Sequence, residues 1–308
     1  MTKRFLAALL VASAATLTAQ NGNVPVIRVQ TRLVNVPVNV EDEHGVAVPG
    51  LTKDSFTLLE DGKPQKVAVF ERQSETPLSI VMAIDTSESV LTQFRTEMDA
   101  AKRFIHTMLR EQDEMDLMAF SDAVDEVVSF TNNDKRVISG LSHLGKGDAT
   151  AMYSAVYLAS QRLSDSSKKD ALRRRILVLI TDGGDTTRSG TRYTDAVEQA
   201  QRAGAAIYPI IIMPIFSDAG RNVAGEHALI QMAEDTGGKF FYVTRKSDLD
   251  AAFAHLSDDL RTQYLLAYYA PQHKRDSGSH SIEVRLNDPP MQAKLKLRYR
   301  PAYFPDAR

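Results

Sequence analysis

Three rhythms of hydrophobic and polar positions divide the chain. Between Val24 and Arg72 the two kinds alternate, at residues 27–30 and again through 33–40, which is the period-two pattern of half-buried strands. Residues 56–60 and 66–70 are two further strand-like runs, and Asp61-Gly62-Lys63-Pro64 between them predicts a hairpin turn. From Leu78 to about Leu260 the rhythm changes. Short apolar runs at 79–84, 115–120, 175–180, 206–212 and 240–243 predict strands, and 3.6-periodic segments at 90–109, 151–163, 194–203, 224–236 and 249–260 predict helices. This alternation predicts an α/β fold, a doubly wound and mostly parallel sheet with helices on both faces. After Gln263 strand patterns return at 264–269, 281–286 and 293–299.

Neither flanking β segment is large enough to be stable alone. Together they supply about seven strands, enough for one small sandwich. The α/β part is therefore expected to be inserted in a smaller β-sandwich-like domain, with 24–76 as the first β part, 77–261 as the insert and 262–305 as the second β part. Two separate β appendages are the alternative. A length of 308 residues fits about two domains.

The amino terminus adds a localisation. Lys3 and Arg4 precede an apolar run, 5–15, that is too short to span a bilayer, and Leu17-Thr18-Ala19 offers small residues for cleavage. Residues 1–19 thus read as a signal peptide of a secreted or periplasmic protein, with an uncleaved anchor as the alternative. The chain has no Cys, which removes lipid anchoring and the usual zinc patterns. With 37 basic and 39 acidic residues, charge makes no case for nucleic acid. No later segment approaches the length of a membrane span.

Candidate chemistry lies where strands run into helices. After the strand at 79–84 come Asp85, Thr86, Ser87, Glu88 and Ser89; Thr150 precedes the helix at 151–163; Asp182 follows the strand at 175–180. Each of these alone reads as a helix cap or a turn residue. Jointly they place oxygen-bearing groups on three loops at the carboxyl edge of one sheet, where open α/β folds bind ligands. Hard divalent cations take such ligands.

The order Asp85-x-Ser87-x-Ser89, Thr150, Asp182 resembles the metal-ion-dependent adhesion site of von Willebrand factor type A domains. Asp116-Leu117-Met118-Ala119-Phe120-Ser121 is similar to the second core strand of such domains, and the resemblance covers about 78–260. The whole layout is also similar to exported bacterial proteins of the acidobacterial type, in which this domain sits between β segments. The resemblance implies a non-enzymatic binding module. Ser87 and Ser89 would bind Mg²⁺ (or Mn²⁺ or Ca²⁺) directly, Asp85 and Asp182 largely through water, and Thr150 would join or leave the shell. A protein partner would complete the shell with an Asp or Glu. Asp148, Asp185 and Glu88, nearby, read as solvated loop residues.

Two rivals stay open. A Mg²⁺-dependent hydrolase or phosphatase is one, although position 87 is Ser where an aspartyl-phosphate enzyme would want a second Asp, and no P-loop or Gly-x-Ser-x-Gly occurs. A structural scaffold with an unused metal site is the other.

Overall fold

A computed structural model describes residues 33–72, 76–88, 90, 98–166, 173–187, 190–213, 222–271 and 278–305. The expected signal segment, the strand at 27–30 and Ser89 lie outside these residues. Everything described belongs to the compact unit Thr31–Arg308.

The first β part forms β1 (Leu33–Glu41), β2 (Phe56–Glu60), β3 (Lys63–Gln65) and β4 (Val67–Glu71). In β1 Val34, Val36, Val38 and Val40 are all buried, as the alternation predicts, and towards its end Asn39 and Glu41 are buried too. The expected hairpin differs in its second arm. Asp61 and Gly62, both at positive φ, turn β2 directly onto β3, and β4 pairs instead with a strand of the other sheet. Two consecutive positive φ values are what a two-residue hairpin loop demands.

The α/β part contributes β5 (Leu78–Asp85), β6 (Glu114–Phe120), β7 (Val124–Thr131), β8 (Arg174–Thr181), β9 (Ala205–Ile212) and β10 (Phe241–Val243). They form a six-stranded sheet in the order β10-β9-β8-β5-β6-β7, parallel except for β7. Around it lie α1 (Met98–Met108), α2 (Asp134–Gly140), α3 (Met152–Ser166), α4 (Tyr193–Ala203), α5 (Val223–Thr236) and α6 (Lys246–Arg261). β5 shows why the fold takes this form. Every one of its residues is buried, with Ile80, Met82 and Ile84 in one core and Val81 and Ala83 in the other. The first core is covered by α1, α2 and α6, the second by α3, α4 and α5. A strand apolar on both faces must have helices on both faces. β7 and α2 were not legible in the pattern. β7 is an edge strand in which only Val128 is buried, so it carries little apolar signal.

The second β part forms β11 (Tyr264–Tyr269), β12 (His280–Leu286), α7 (Pro289–Lys294), β13 (Lys296–Arg298) and β14 (Ala302–Tyr303). The strand expected over 293–299 is corrected here. Its start belongs to α7, capped by Asp288 with prolines in the first turn, and only Lys296–Arg298 pairs as a strand. Both ends of the chain share two four-stranded sheets, β13-β1-β11-β4 and β14-β12-β2-β3. Val36 and Leu266 from one sheet, and Leu58 and Val284 from the other, meet in a common core. No helix among the described residues is long and apolar enough to cross a membrane.

Candidate metal centre

β5 and β8 are central neighbours in parallel register, Ile84 beside Ile180, so both deliver their carboxyl ends to the same edge. Asp85 is fully buried there. Its Oδ2 accepts from Thr181 Oγ1 at 2.7 Å and its Oδ1 from the Ser87 amide at 2.9 Å. Burial pushes the Asp85 carboxyl up to about 6. The hydrogen bonds from Thr181 and Ser87 oppose that rise, and the charge of Asp182 adds to it.

Ser87 forms an isolated parallel bridge with Gly147, whose amide donates to the Thr86 carbonyl at 3.3 Å. Glycine is required at 147, since a Cβ would strike the side chains of Ser121 and Asp122. Asp122 Oδ2 also accepts from the Asp148 amide at 3.1 Å, and the Ser121 carbonyl from the Ala151 amide at 2.8 Å. The loop before α3 is thereby docked beside the end of β5. The Ser87 Oγ is buried there without a hydrogen bond of good geometry, although it lies close enough to Asp85 to favour the charged carboxylate.

Thr150 is buried and tied to the loop after β8 by its backbone. Its amide donates to Thr186 Oγ1 at 2.9 Å, and its carbonyl accepts from the Thr186 amide at 2.9 Å. Asp182 is half-buried and accepts from the Gly184 amide at 3.0 Å. Gly184 stands between the two. A Cβ there would lie 3.3 Å from Asp182 Oδ1 and 3.8 Å from Thr150 Oγ1. The preceding glycine holds the loop from behind: Gly183, at φ 90°, gives its carbonyl to Asn222 Nδ2 at 3.1 Å, and packs so tightly on Gly225 that a Cβ at 225 would collide with that carbonyl.

Asp85, Ser87, Thr150 and Asp182 thus come from three loops to one sheet edge. Asp148 and Glu88 are exposed, Glu88 paired with Lys146 at 2.7 Å. Asp185 corrects the expectation of a solvated loop residue. It is half-buried, accepts from the Tyr153 amide at 3.3 Å at the start of α3, and is raised above its ordinary pKa by burial. Supporting residues that the sequence alone did not single out are Thr186, Asn222, Gly225 and Asp122. They act through backbone contacts with distant loops, which leave no local signature.

What the cluster offers is hard oxygen: two carboxylates and two hydroxyls, the donor set of Mg²⁺, Mn²⁺ or Ca²⁺ sites. A second carboxylate and histidine grouping, Glu60, Asp61 and His280, has ligand atoms within 4.8 Å of one another. It clasps the hairpin turn to β12: His280 Nδ1 is 2.8 Å from Asp61 Oδ2, and the Ser281 amide donates to Asp61 Oδ1 at 2.9 Å.

Residues 79–255 match the family model of the von Willebrand factor type A domain. No curated protein sequence matches the chain. Among solved structures, an aerotolerance-related membrane protein from Bacteroides fragilis is 18% identical, with 59% of this chain and 98% of that one covered at a TM-score of 0.45. BatB from Bacteroides thetaiotaomicron is also 18% identical, with 60% and 100% covered and a TM-score of 0.46. The vWF domain of the pilus tip protein Mfa5 from Porphyromonas gingivalis is 14% identical, with 59% and 94% covered and a TM-score of 0.48. The family match takes in more than half of the 308 residues, from the second residue of β5 into α6, and the chain belongs to the von Willebrand factor type A domain family.

Proposed function

We propose that this protein is a non-enzymatic binding module whose contact point is a divalent cation, Mg²⁺ in the first place, held by Asp85, Ser87, Ser89, Thr150 and Asp182. One observation carries the reading: a buried Ser87 hydroxyl without a well-formed hydrogen bond, beside a carboxylate that burial has raised to about 6. A cation there would give the hydroxyl a partner and favour the ionised Asp85. The metal's contribution, when bound, is a positive site with a vacant position for an anionic ligand. Thr181 holds Asp85 in orientation, and Gly183 and Gly184 let the Asp182 loop approach. The partner supplies an Asp or Glu side chain to the cation. Export by the amino-terminal segment belongs to the same reading, and intact-mass measurement of the secreted product, expected to begin near Gln20, tests it.

Melting curves of the full chain with Mg²⁺ and with chelator test the metal. At a hundredfold excess over its dissociation constant, a ligand of the folded state adds about 2.7 kcal/mol. The midpoint should rise with Mg²⁺, fall back with chelator, and stay unmoved in Asp85→Ala. Identical curves for the unmutated protein at millimolar metal would end the proposal and leave these residues as helix caps.

A further inference from the structure

At the opposite end of β8 from Asp182, about 23 Å along the strand, a cavity of about 460 Å³ opens where β1 meets the amino-terminal edge of the parallel sheet. It is within the range of small-molecule sites, about 300–1,000 Å³, and such sites favour places where layers of a protein meet. Its wall carries five arginines, Arg173, Arg174, Arg175, Arg202 and Arg300. No acidic side chain is among the described residues that line it.

Three of these arginines have partners among the described residues, Arg175 donating from Nη1 to the Ala203 carbonyl. Arg202 pairs with Glu198 at 2.7 Å, and Arg173 lies 4.0 Å from Glu114. Arg174 is different. It is only 4% exposed, and its guanidinium donates to the Leu260 carbonyl and to Gln263, both neutral, while its Nε has no hydrogen-bond partner. A buried cation without a bonded carboxylate is costly unless something anionic approaches it. From a second direction, Arg175 Nη1 and Arg300 Nη1 each lie 3.2 Å from the point that a Cβ on Gly204 would occupy. Gly204 is the left-handed cap of α4, at φ 65°, so that space is kept open by a residue the helix end already requires.

We infer that this cavity is a binding site for a compact anion of the phosphate type, inorganic phosphate or a phosphate monoester, held by Arg174, Arg175 and Arg300. Guanidinium forks from the start of β8 and from the chain after β13 suit a tetrahedral oxyanion with more than one negative charge better than a single carboxylate. The site is separate from the proposed metal centre. A ligand here would brace β1 and the chain after β13 against the base of β8.

Isothermal titration and melting curves of the full chain, in chelator and at ionic strength matched with chloride, test it. Phosphate and glycerol phosphate should bind and raise the midpoint, and acetate should do neither. Arg175→Gln and Arg300→Gln should each weaken phosphate binding about tenfold or more, the effect of a lost hydrogen bond to a charged group. Asp85→Ala should leave it unchanged, which separates this result from the fate of the metal reading. Far-ultraviolet circular dichroism checks that the arginine variants are folded, and Arg300→Gln serves if Arg175→Gln is not. Phosphatidate vesicles that capture the protein, while glycerol phosphate does not, would assign the phosphate to a lipid headgroup. No response to either form beyond that to chloride, or an equal response in the arginine variants, would overturn the site.

Discussion

Thr181 donates its hydroxyl hydrogen to Asp85 across the ends of two neighbouring parallel strands, at 2.7 Å, and the same oxygen accepts from the Gly183 amide at 3.1 Å. One buried side chain therefore fixes both the first carboxylate of the site and the loop that carries the last. Its removal should be felt at the proposed metal site and in the fold together. Thr181→Val preserves shape but leaves a buried carboxylate oxygen and an amide without this partner, a loss of about 1–3 kcal/mol. Urea unfolding should register that loss, and the Mg²⁺-dependent rise in melting temperature should shrink.

Gly225 makes the second support. Its close approach to the Gly183 carbonyl leaves no room for a Cβ. Gly225→Ala should push the loop bearing Asp182 away from α5 and cost about 2 kcal/mol or more, despite the better helix propensity of alanine. A variant as stable as the parent would show that the loop shifts freely.

Asp116 gives a pH dependence of known sign. It is fully buried in β6, with Arg162 at 3.7 Å. Burial, then the charge of Glu126, push its carboxyl up to about 8, against the opposing pull of Arg162. An acid raised in the folded state contributes stability that is complete below the unfolded value near 4. That contribution is lost as pH climbs through about 8. Asp116→Asn should therefore flatten the fall in stability between these limits and be the more stable protein at the upper one, by roughly 1–3 kcal/mol. Urea midpoints of both proteins across the range decide it.

Arg298 joins the β-sandwich to the α/β part. It pairs with Glu41 of β1 at 2.9 Å and with Asp259 of α6, and Asp259 in turn accepts from the Tyr208 hydroxyl at 2.9 Å. Arg298→Met takes the cation from buried Asp259 and leaves Glu41 with Lys239 alone, at 3.0 Å, and should cost about 3 kcal/mol. Adding Glu41→Gln should recover part of that loss. Thermal unfolding of the single and double variants measures the coupling, and equal costs would deny it.

The sequence by itself determined the alternating strand and helix order of the α/β part apart from β7 and α2, and the succession Asp85, Ser87, Thr150, Asp182. These are legible because burial on one or two faces writes its period into neighbouring residues. The tertiary structure alone decided the rest. Nothing near Asp61 announces His280, 219 residues away, or near Glu60 the Tyr303 hydroxyl that donates to it from 243 residues away. Nothing in 66–70 says that β4 leaves its hairpin for β11, nor in 293–299 that prolines and Asp288 start a helix whose end hands over to a three-residue strand. Thr181, Gly225 and the arginines at the base of β8 take their roles from groups that the chain crossover brings near. Sequence periodicity reports which side of an element is buried; only the folded chain sets which distant donor, carbonyl or charge that side meets.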